Sequence, residues 1–466
     1  MLEEKKIDEI LDITSLTSEG QGVGRQDNMV VFVEGAIPGD RVKARMVHKA
    51  KSYANAKMLE ILAPSRNRIS APCKVADRCG GCSLQHMDYQ AQCGWKQSTV
   101  IEAMTRIGGF GRADVEAALS PILAMKHPYH YRNNVQMPVS GTSDSPTIGF
   151  YESDSHTVVD IKECLVQHPV GDVIRETVRD FIIKNNISIY NEVNGTGLLR
   201  HLVIRTGFRT KQVMVVFVMN GRELPFQDEI VQNLIVAVQQ NDMNLTSVFL
   251  NINDKKTSLV FGKEFLPVFG KEAIEEILCG IRYRISPSAF FQVNSEQAEL
   301  LYETVVAFAD MNPKDTVFDL YCGTGSISLV LAKHCKKVIG VEVVAQAIAD
   351  AKENARANEI SNAEFFVGRA EEVFPDYVSR GVHADVIVVD PPRKGLDTAL
   401  LESIARMSPP KIVYVSCNPA TLARDCKVLC ENGGYTLVKM QPVDLFPWTG
   451  HVETIIMMTN CGQDKK

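Results

Sequence analysis

Through residues 10–63 apolar and polar positions alternate with a period of two. ILDITSLTSEGQGVGR, NMVVFVEGAIPGD and RVKARMVHKAKSYANAKMLEIL read as short strands split by glycine-rich or Pro-Gly turns. Five such strands would close a small barrel of the OB type, an architecture that commonly binds nucleic acid. No helical pattern follows Gly20, Gly22 and Gly24, so they read as turn residues and not as a phosphate loop. Pro64 and Pro72 then frame an irregular, cysteine-rich stretch, and helical periodicity returns around residues 88–106. Residues 130–270 carry many β-like runs (NNVQMPV, TIGFYE, HTVVDI, LLRHLVIRT, QVMVVFVMN and SVFLNIN), which predict a second, mixed domain.

From about residue 290 the rhythm becomes strand then helix. TVFDLY, KVIGVEV, ADVIVVD, KIVYVS and ETIIMMT read as strands, SISLVLAKH and VAQAIADAKENARANEI as helices. This alternation is the signature of a doubly wound α/β sheet. The expected organisation is an OB-type β-barrel over residues 1–64, a mixed α+β domain over 65–280 and a Rossmann-like α/β domain over 281–466. The chain shows no internal repeat or low-complexity tract, and its last residues, NCGQDKK, are expected to fray.

A length of 466 residues agrees with three domains at about 150 residues each. No apolar run approaches the roughly 20 residues of a membrane span, and MLEEKKIDEILDI lacks the apolar core of a signal peptide. A cytoplasmic protein without membrane partners is the expectation. The net charge of −6 does not mark a nucleic-acid binder, but its distribution is uneven. Residues 41–68 hold eight Lys/Arg (Arg41, Lys43, Arg45, Lys49, Lys51, Lys57, Arg66, Arg68) against Glu60. The stretch reads either as a solvated surface or as a phosphate-contacting patch.

The candidate chemistry lies at strand ends. Asp319-Leu-Tyr-Cys-Gly-Thr-Gly-Ser326 sits where a strand turns into a helix, and Gly323 and Gly325 permit close backbone approach to a ligand. Glu342 ends the next strand, at the spacing of a carboxylate that accepts ribose hydroxyls. A nicotinamide fingerprint competes, but its third glycine position is Ser328. Val-Val-Asp390-Pro-Pro at a later strand end resembles the substrate-base motif of methyltransferases that act on planar amine or uracil rings, which favours methyl transfer instead. Pro391 and Pro392 stiffen the backbone after Asp390, although an Asp that only caps a helix is the bland alternative. Val415-Ser416-Cys417-Asn418-Pro419 follows the strand KIVYV directly, so Cys417 leaves the sheet at the same edge as Asp390. A thiolate there could add to carbon 6 of a uracil and make carbon 5 nucleophilic. A base must then remove the carbon-5 proton, and Glu453 in His451-Val-Glu453-Thr is the candidate.

Phe291-Gln292-Val293-Asn294, DLYCGTGS, VVDPPRKGL, VSCNPATLARD and DLFPWTGHVET, in this order, resemble the bacterial uracil-5 RNA methyltransferases, in particular the branch acting on 23S ribosomal RNA. The resemblance spans nearly the whole chain. It implies a class I methyltransferase domain with S-adenosyl-L-methionine as cofactor, Gln292, Tyr321, Glu342 and Asp390 contacting cofactor or target base, Cys417 as nucleophile and Glu453 as base. The family's asparagine after the glycine turn is Ser326 here, and a further cofactor-contacting position falls near Arg369. Arg132, in Tyr131-Arg132-Asn133-Asn134, matches a central-domain motif and would either contact RNA or tie a strand. The N-terminal barrel resembles the TRAM module. The transfer-RNA branch usually lacks that module and the cysteine cluster, so the resemblance points to ribosomal RNA and a monomeric enzyme.

Twelve cysteines in a reducing compartment read as thiols, ligands or catalysts. Cys73, Cys79 and Cys82 form C-x5-C-x2-C and need a fourth ligand. The resemblance supplies Cys164 and implies a [4Fe-4S] cluster. Zinc is the alternative metal, Cys93 is a spare ligand, and metal-free thiols remain open. Three other functions stay in view: 5-methyluridine formation in transfer RNA, cytosine-5 methylation, and a non-enzymatic RNA-binding iron–sulfur protein.

Overall fold

The computed structural model describes residues 8–460. The expected fraying after Asn460, and the beginning of the charged N-terminus, lie outside the described residues. The chain forms two compact units. One comprises Met1–Thr99, Phe150–Val159 and Phe446–His451, and the other Val100–Gly149, Asp160–Leu445 and Val452–Lys466.

The first unit contains the expected barrel-like sheet, with six strands in place of five. Their order is Asp8–Asp12, Arg41–Lys49, Tyr53–Ala63, Met29–Glu34, Gly22–Gln26 and Ser15–Leu16. Alternate residues point inward, and Leu11, Val31, Val33, Val42, Ala44 and Ala54 form its core. Only Gly20 of the three glycines is a turn residue. Gly22 and Gly24 lie within a strand, and a Cβ on Gly22 would meet Ala36 at 2.8 Å. They are glycines because the strand packs backbone-close, which the sequence pattern alone does not reveal. Beneath the barrel the buried Asp40 accepts the N–H groups of Ile37 and Ser65, each at 2.8 Å, and Arg68 Nη2 at 2.5 Å. Burial opposes its charge, but these donors hold its carboxyl below the usual carboxylate range.

Half of the basic stretch is internally neutralised. Arg45 and Lys43 pair with Asp8, Arg41 with Asp12 and Arg68 with Asp40. Lys49, Lys51, Lys57 and Arg66 have no ion pair among the described residues.

The second unit holds two large sheets. The central one has seven strands, beginning in the order Glu264–Gly270, Asn244–Ile252, Gln212–Met219, Leu199–Gly207, Asn134–Thr142 and Ser145–Tyr151. Helices Val170–Asn185 and Gln227–Gln239 accompany it, and neither announces itself among the β-like runs.

The C-terminal sheet runs Ala363–Val367, Lys337–Glu342, Thr316–Leu320, Val386–Val389, Lys411–Ser416, Glu453–Asn460 and Tyr435–Val443. Its first five strands are mutually parallel. Glu453–Asn460 is antiparallel to both of its neighbours. The strand interiors are continuously buried, as a sheet covered by helices on both faces requires. Strand order reverses between Thr316–Leu320 and Val386–Val389, and the crevice at that reversal is where ligands bind in open α/β sheets.

Candidate active site

The loop after Thr316–Leu320 is shaped by backbone constraint. Tyr321 takes the left-handed conformation (φ 72°), followed by Gly323 (φ 55°) and Gly325 (φ 78°) before helix Ser326–Ala332 begins. A non-glycine residue in this region is uncommon and strained. Tyr321 and Cys322 are pinned through N–H bonds to Val341 O at 2.9 and 3.1 Å. A Cβ on Gly323 would meet nothing within 4 Å, so the loop borders open space. On Gly325 it would crowd Phe365 and Ala351, which explains the second glycine.

Glu342 ends the neighbouring strand, half-buried. Its carboxylate accepts Gly323 N at 3.3 Å and Val344 N at 2.9 Å. An open glycine cradle beside a carboxylate with lone pairs to spare fits the ribose end of an adenosine cofactor. Exposed Val343 and Val344 add apolar surface at that edge.

Asp390, Cys417 and Glu453 meet at the same edge of the sheet. Asp390 follows Val386–Val389, and its N–H bonds Leu320 O at 3.4 Å. Ser416 pairs with Thr454, so Cys417, the first residue beyond its strand, comes beside Glu453, the first residue of strand Glu453–Asn460. Their charges feel one another. Burial and the nearby Glu453 and Asp390 carboxylates push the Cys417 thiol up to about 11. Burial and Asp390 push Glu453 up to about 8. Asp390 is half-buried, yet crowding desolvates its carboxyl, and with Asp319 raises it to about 7. Asp319 itself is fully buried, raised to about 6, and Ser328 Oγ donates to its Oδ2 at 2.5 Å while its Oδ1 has no partner. Arg393 is the opposing charge, lowering both Cys417 and Glu453.

The loop carrying Arg393 is fastened to the helix after the cysteine. Asn418 caps helix Pro419–Gly433 by accepting Ala420 N, and its amide donates to Arg393 O at 3.0 Å. Thr421 Oγ1 donates to the same carbonyl. The buried Asp425 accepts Leu396 N and Tyr414 OH, both at 2.8 Å. Arg424 donates to Lys394 O at 2.9 Å. The motifs VVDPPRKGL and VSCNPATLARD are thus two halves of one clamp. The sequence motif contains Arg393 but assigns it no role; its cationic residue two positions after Asp390-Pro was the available signal.

The remaining expected residues are placed as follows. Asn133 Nδ2 donates to Gln292 O at 2.9 Å, fixing the backbone of the half-buried Gln292. Arg132 bridges the chain to Gln167 and Asn294, and its Nε donates to Asn134 O at 3.1 Å, which is a strand tie. Ser326 opens its helix, and its carbonyl accepts Tyr283 OH at 2.7 Å. Arg369 is exposed and ion-paired to Glu371 at 2.7 Å.

Cys73, Cys79 and Cys82 are half-buried in the turn-rich segment of the first unit, and Cys164 is buried in the second. Cys93 is buried on helix Tyr89–Arg106. Among the described residues no group of three or more Cys, His, Asp or Glu is gathered so as to hold a metal ion. Thiols are donors that suit a metal chemically. No reaction step is derived through one. Among the described residues, no helix is long and apolar enough to cross a membrane.

Comparison with known proteins agrees with the geometry. Residues 208–461 match the tRNA (uracil-5-)-methyltransferase family and residues 10–59 the TRAM domain. An uncharacterized RNA methyltransferase of Clostridium tetani is 45% identical over 98% of this chain and 97% of its own length. One from Listeria innocua is 44% identical, covering 96% and 97%. The structure of the Pyrococcus abyssi tRNA (uracil-54, C5)-methyltransferase in complex with S-adenosyl-L-homocysteine superposes with a TM-score of 0.76 at 30% identity, covering 97% of this chain and 100% of that one. The chain therefore belongs to the RNA (uracil-5-)-methyltransferase family, as an S-adenosylmethionine-dependent enzyme with a TRAM domain and a class I methyltransferase fold.

Proposed function

We propose that the enzyme methylates carbon 5 of a uridine in 23S ribosomal RNA through a covalent adduct with Cys417. The observation that carries the chemistry is the meeting of Cys417, Glu453 and Asp390 at one sheet edge with Arg393 as the balancing cation. S-adenosylmethionine, when bound, supplies a methyl group on a sulfonium, and Glu342, Tyr321, Gln292 and Asp390 are the proposed residues to hold it and the target base. The base must leave its stack to reach the cysteine.

Burial and neighbouring carboxylates favour the protonated forms of Cys417 and Glu453, and the Arg393 charge favours ionisation of each. Cys417 and Glu453 each give a proton to solvent water, and the Cys417 sulfur then bonds carbon 6 of uracil as the electrons of the ring double bond move to give an enolate. Carbon 5 takes the methyl group as the methyl–sulfur bond breaks, its electron pair staying on sulfur. The Glu453 carboxylate removes the hydrogen on carbon 5 as a proton. The freed pair restores the double bond and expels Cys417 as thiolate. A base with a pKa of about 8 suits proton exchange near neutral pH.

The motif set and the Cys73, Cys79, Cys82 and Cys164 positions support ribosomal RNA, and with them the proposal of a [4Fe-4S] cluster of structural or RNA-orienting role. Iron and acid-labile sulfide analysis of anaerobically prepared protein tests the cluster. The division at residues 64 and 280 belongs to the same reading. A second reading is transfer RNA, favoured by the full-length likeness to the Pyrococcus abyssi enzyme. Incubation of both RNAs with the purified enzyme and labelled S-adenosylmethionine decides between them: the ribosomal proposal expects label in 23S RNA alone, at uridine and not cytidine. Label confined to transfer RNA would overturn it.

A further inference from the structure

The central sheet carries buried charge that the methyl-transfer site does not use. Its strand Leu199–Gly207 sends arginines to both faces. Arg200 is buried, donates to the carbonyls of Asn253 and Lys255 at 2.7 Å and Thr257 at 3.3 Å, and lies 4.2 Å over the Tyr190 ring. Its terminal nitrogens are thus satisfied without a carboxylate, although its Nε, like that of Arg205, is buried without a partner.

Arg205, only 5% exposed, lacks such support. Among the described residues its side chain has no hydrogen bond, ion pair or ring contact, and its Nε is sealed from solvent without a partner. Burial alone lowers its pKa, to about 10, and it stays cationic at neutral pH. A buried, unpaired charge is costly for a fold to carry.

Sheet register gathers further unsatisfied groups on the same face. Side chains alternate along a strand, so His201 shares the face of Arg205. Arg205 is the cross-strand partner of Asn134 on one side and Met214 on the other, and Met214 pairs with Ser247. His201 Nδ1, Asn134 Oδ1 and Ser247 Oγ are each buried without a partner. Gln136, paired to Val203 between Arg205 and His201, is exposed, so this strip reaches solvent.

We propose that this strip is a subsite for the RNA backbone, in which Arg205 donates to a phosphate while Asn134 Oδ1 accepts from a ribose 2′-hydroxyl. A phosphate offers acceptors and negative charge, and the 2′-hydroxyl offers the donor that the amide oxygen lacks. The subsite rests on RNA as the substrate, which the family establishes, and not on which uridine is methylated.

The test compares Arg205→Met, Arg205→Lys and, as a structural control, Arg200→Met in the full chain. Binding of a fluorescein-labelled 23S RNA transcript is followed by anisotropy across a salt series, beside thermal melting. Arg205→Met should melt no lower than wild type, because an apolar side chain of similar length replaces an unpaired charge. Its RNA affinity should fall about tenfold, and the slope of log K against log salt should become shallower by about one. Arg205→Lys should keep the wild-type salt slope. Arg200→Met should lower the melting temperature. Unchanged RNA affinity and slope in Arg205→Met would overturn the subsite. So would a melting loss matching that of Arg200→Met, which would make Arg205 structural. Both readouts are independent of methyl transfer, so a wrong choice between 23S and transfer RNA leaves a different signature.

Discussion

The carboxyl edge of the C-terminal sheet and the polar face of the central sheet leave charge unbalanced in opposite senses. At the first, Asp319, Asp390 and Glu453 crowd together, and each is raised by burial and, in part, by another acid. At the second, a guanidinium stands with no acid near it. Neither imbalance stabilises a fold, and each is complementary to something a methyltransferase of RNA must hold. The acidic edge suits a sulfonium cation and a ring that must lose a proton, and the cationic face suits a polyanion. Unsatisfied charge is thus a guide to ligand sign.

The comparison can be broken first at the nucleophile. Cys417→Ala should abolish methyl transfer, by more than about a thousandfold, while leaving cofactor binding by calorimetry intact. Activity near wild type would remove the covalent mechanism. The next largest effect belongs to Glu453→Gln. Turnover should fall on the order of 10²- to 10⁴-fold, and denatured gels should show RNA crosslinked to the protein, because addition proceeds and proton removal does not.

Glu453→Gln also tests the electrostatics. Its folded pKa of about 8 lies above the value for an unfolded glutamate, so the native state favours the protonated form. That preference is fully present below the unfolded pKa and is lost as pH rises through about 8. Wild-type protein without ligands should therefore lose melting temperature between pH 5 and 8, in roughly the range where those two pKa values lie, and Glu453→Gln should lose less. An equal loss in both would show that the carboxyl is not held protonated.

Smaller effects sharpen the contrast. Arg393→Gln removes the cation that lowers both Cys417 and Glu453, so both should rise further. The acid limb of the pH–rate profile should move to higher pH, by about one unit, with roughly a tenfold loss at neutral pH. A uniform loss at every pH would point to a positioning role instead. Glu342→Gln should weaken cofactor binding by about tenfold with little change in turnover at saturation, since an amide oxygen still accepts but carries no charge.

The α/β rhythm was legible because parallel strands are buried on both faces and read as continuous apolar runs, as in VFDL, VIVV and IVYV. The edge positions of Asp390 and Cys417 followed from those runs. Helices 170–185 and 227–239 were hidden because their apolar positions merge with the strands around them. The basic stretch 41–68 looked uniform in sequence, but Asp8 and Asp12 reach it only through the barrel's pairing, and Asp40 meets Arg68 only in the fold. Arg205 gave no signal at all: within LVIRTG it is one more strand residue, and only the register reveals that no acid faces it.

The insertion of Glu453–Asn460 between Lys411–Ser416 and Tyr435–Val443 bears on how the enzyme comes into being. Strand Tyr435–Val443 precedes it in the chain yet reaches the rest of the sheet only through it. During synthesis the strand that leads to Cys417 therefore has an open flank until Glu453–Asn460 follows. The event that closes the sheet is also the one that brings Glu453 beside Cys417, so the pair exists only once the last strand is in place.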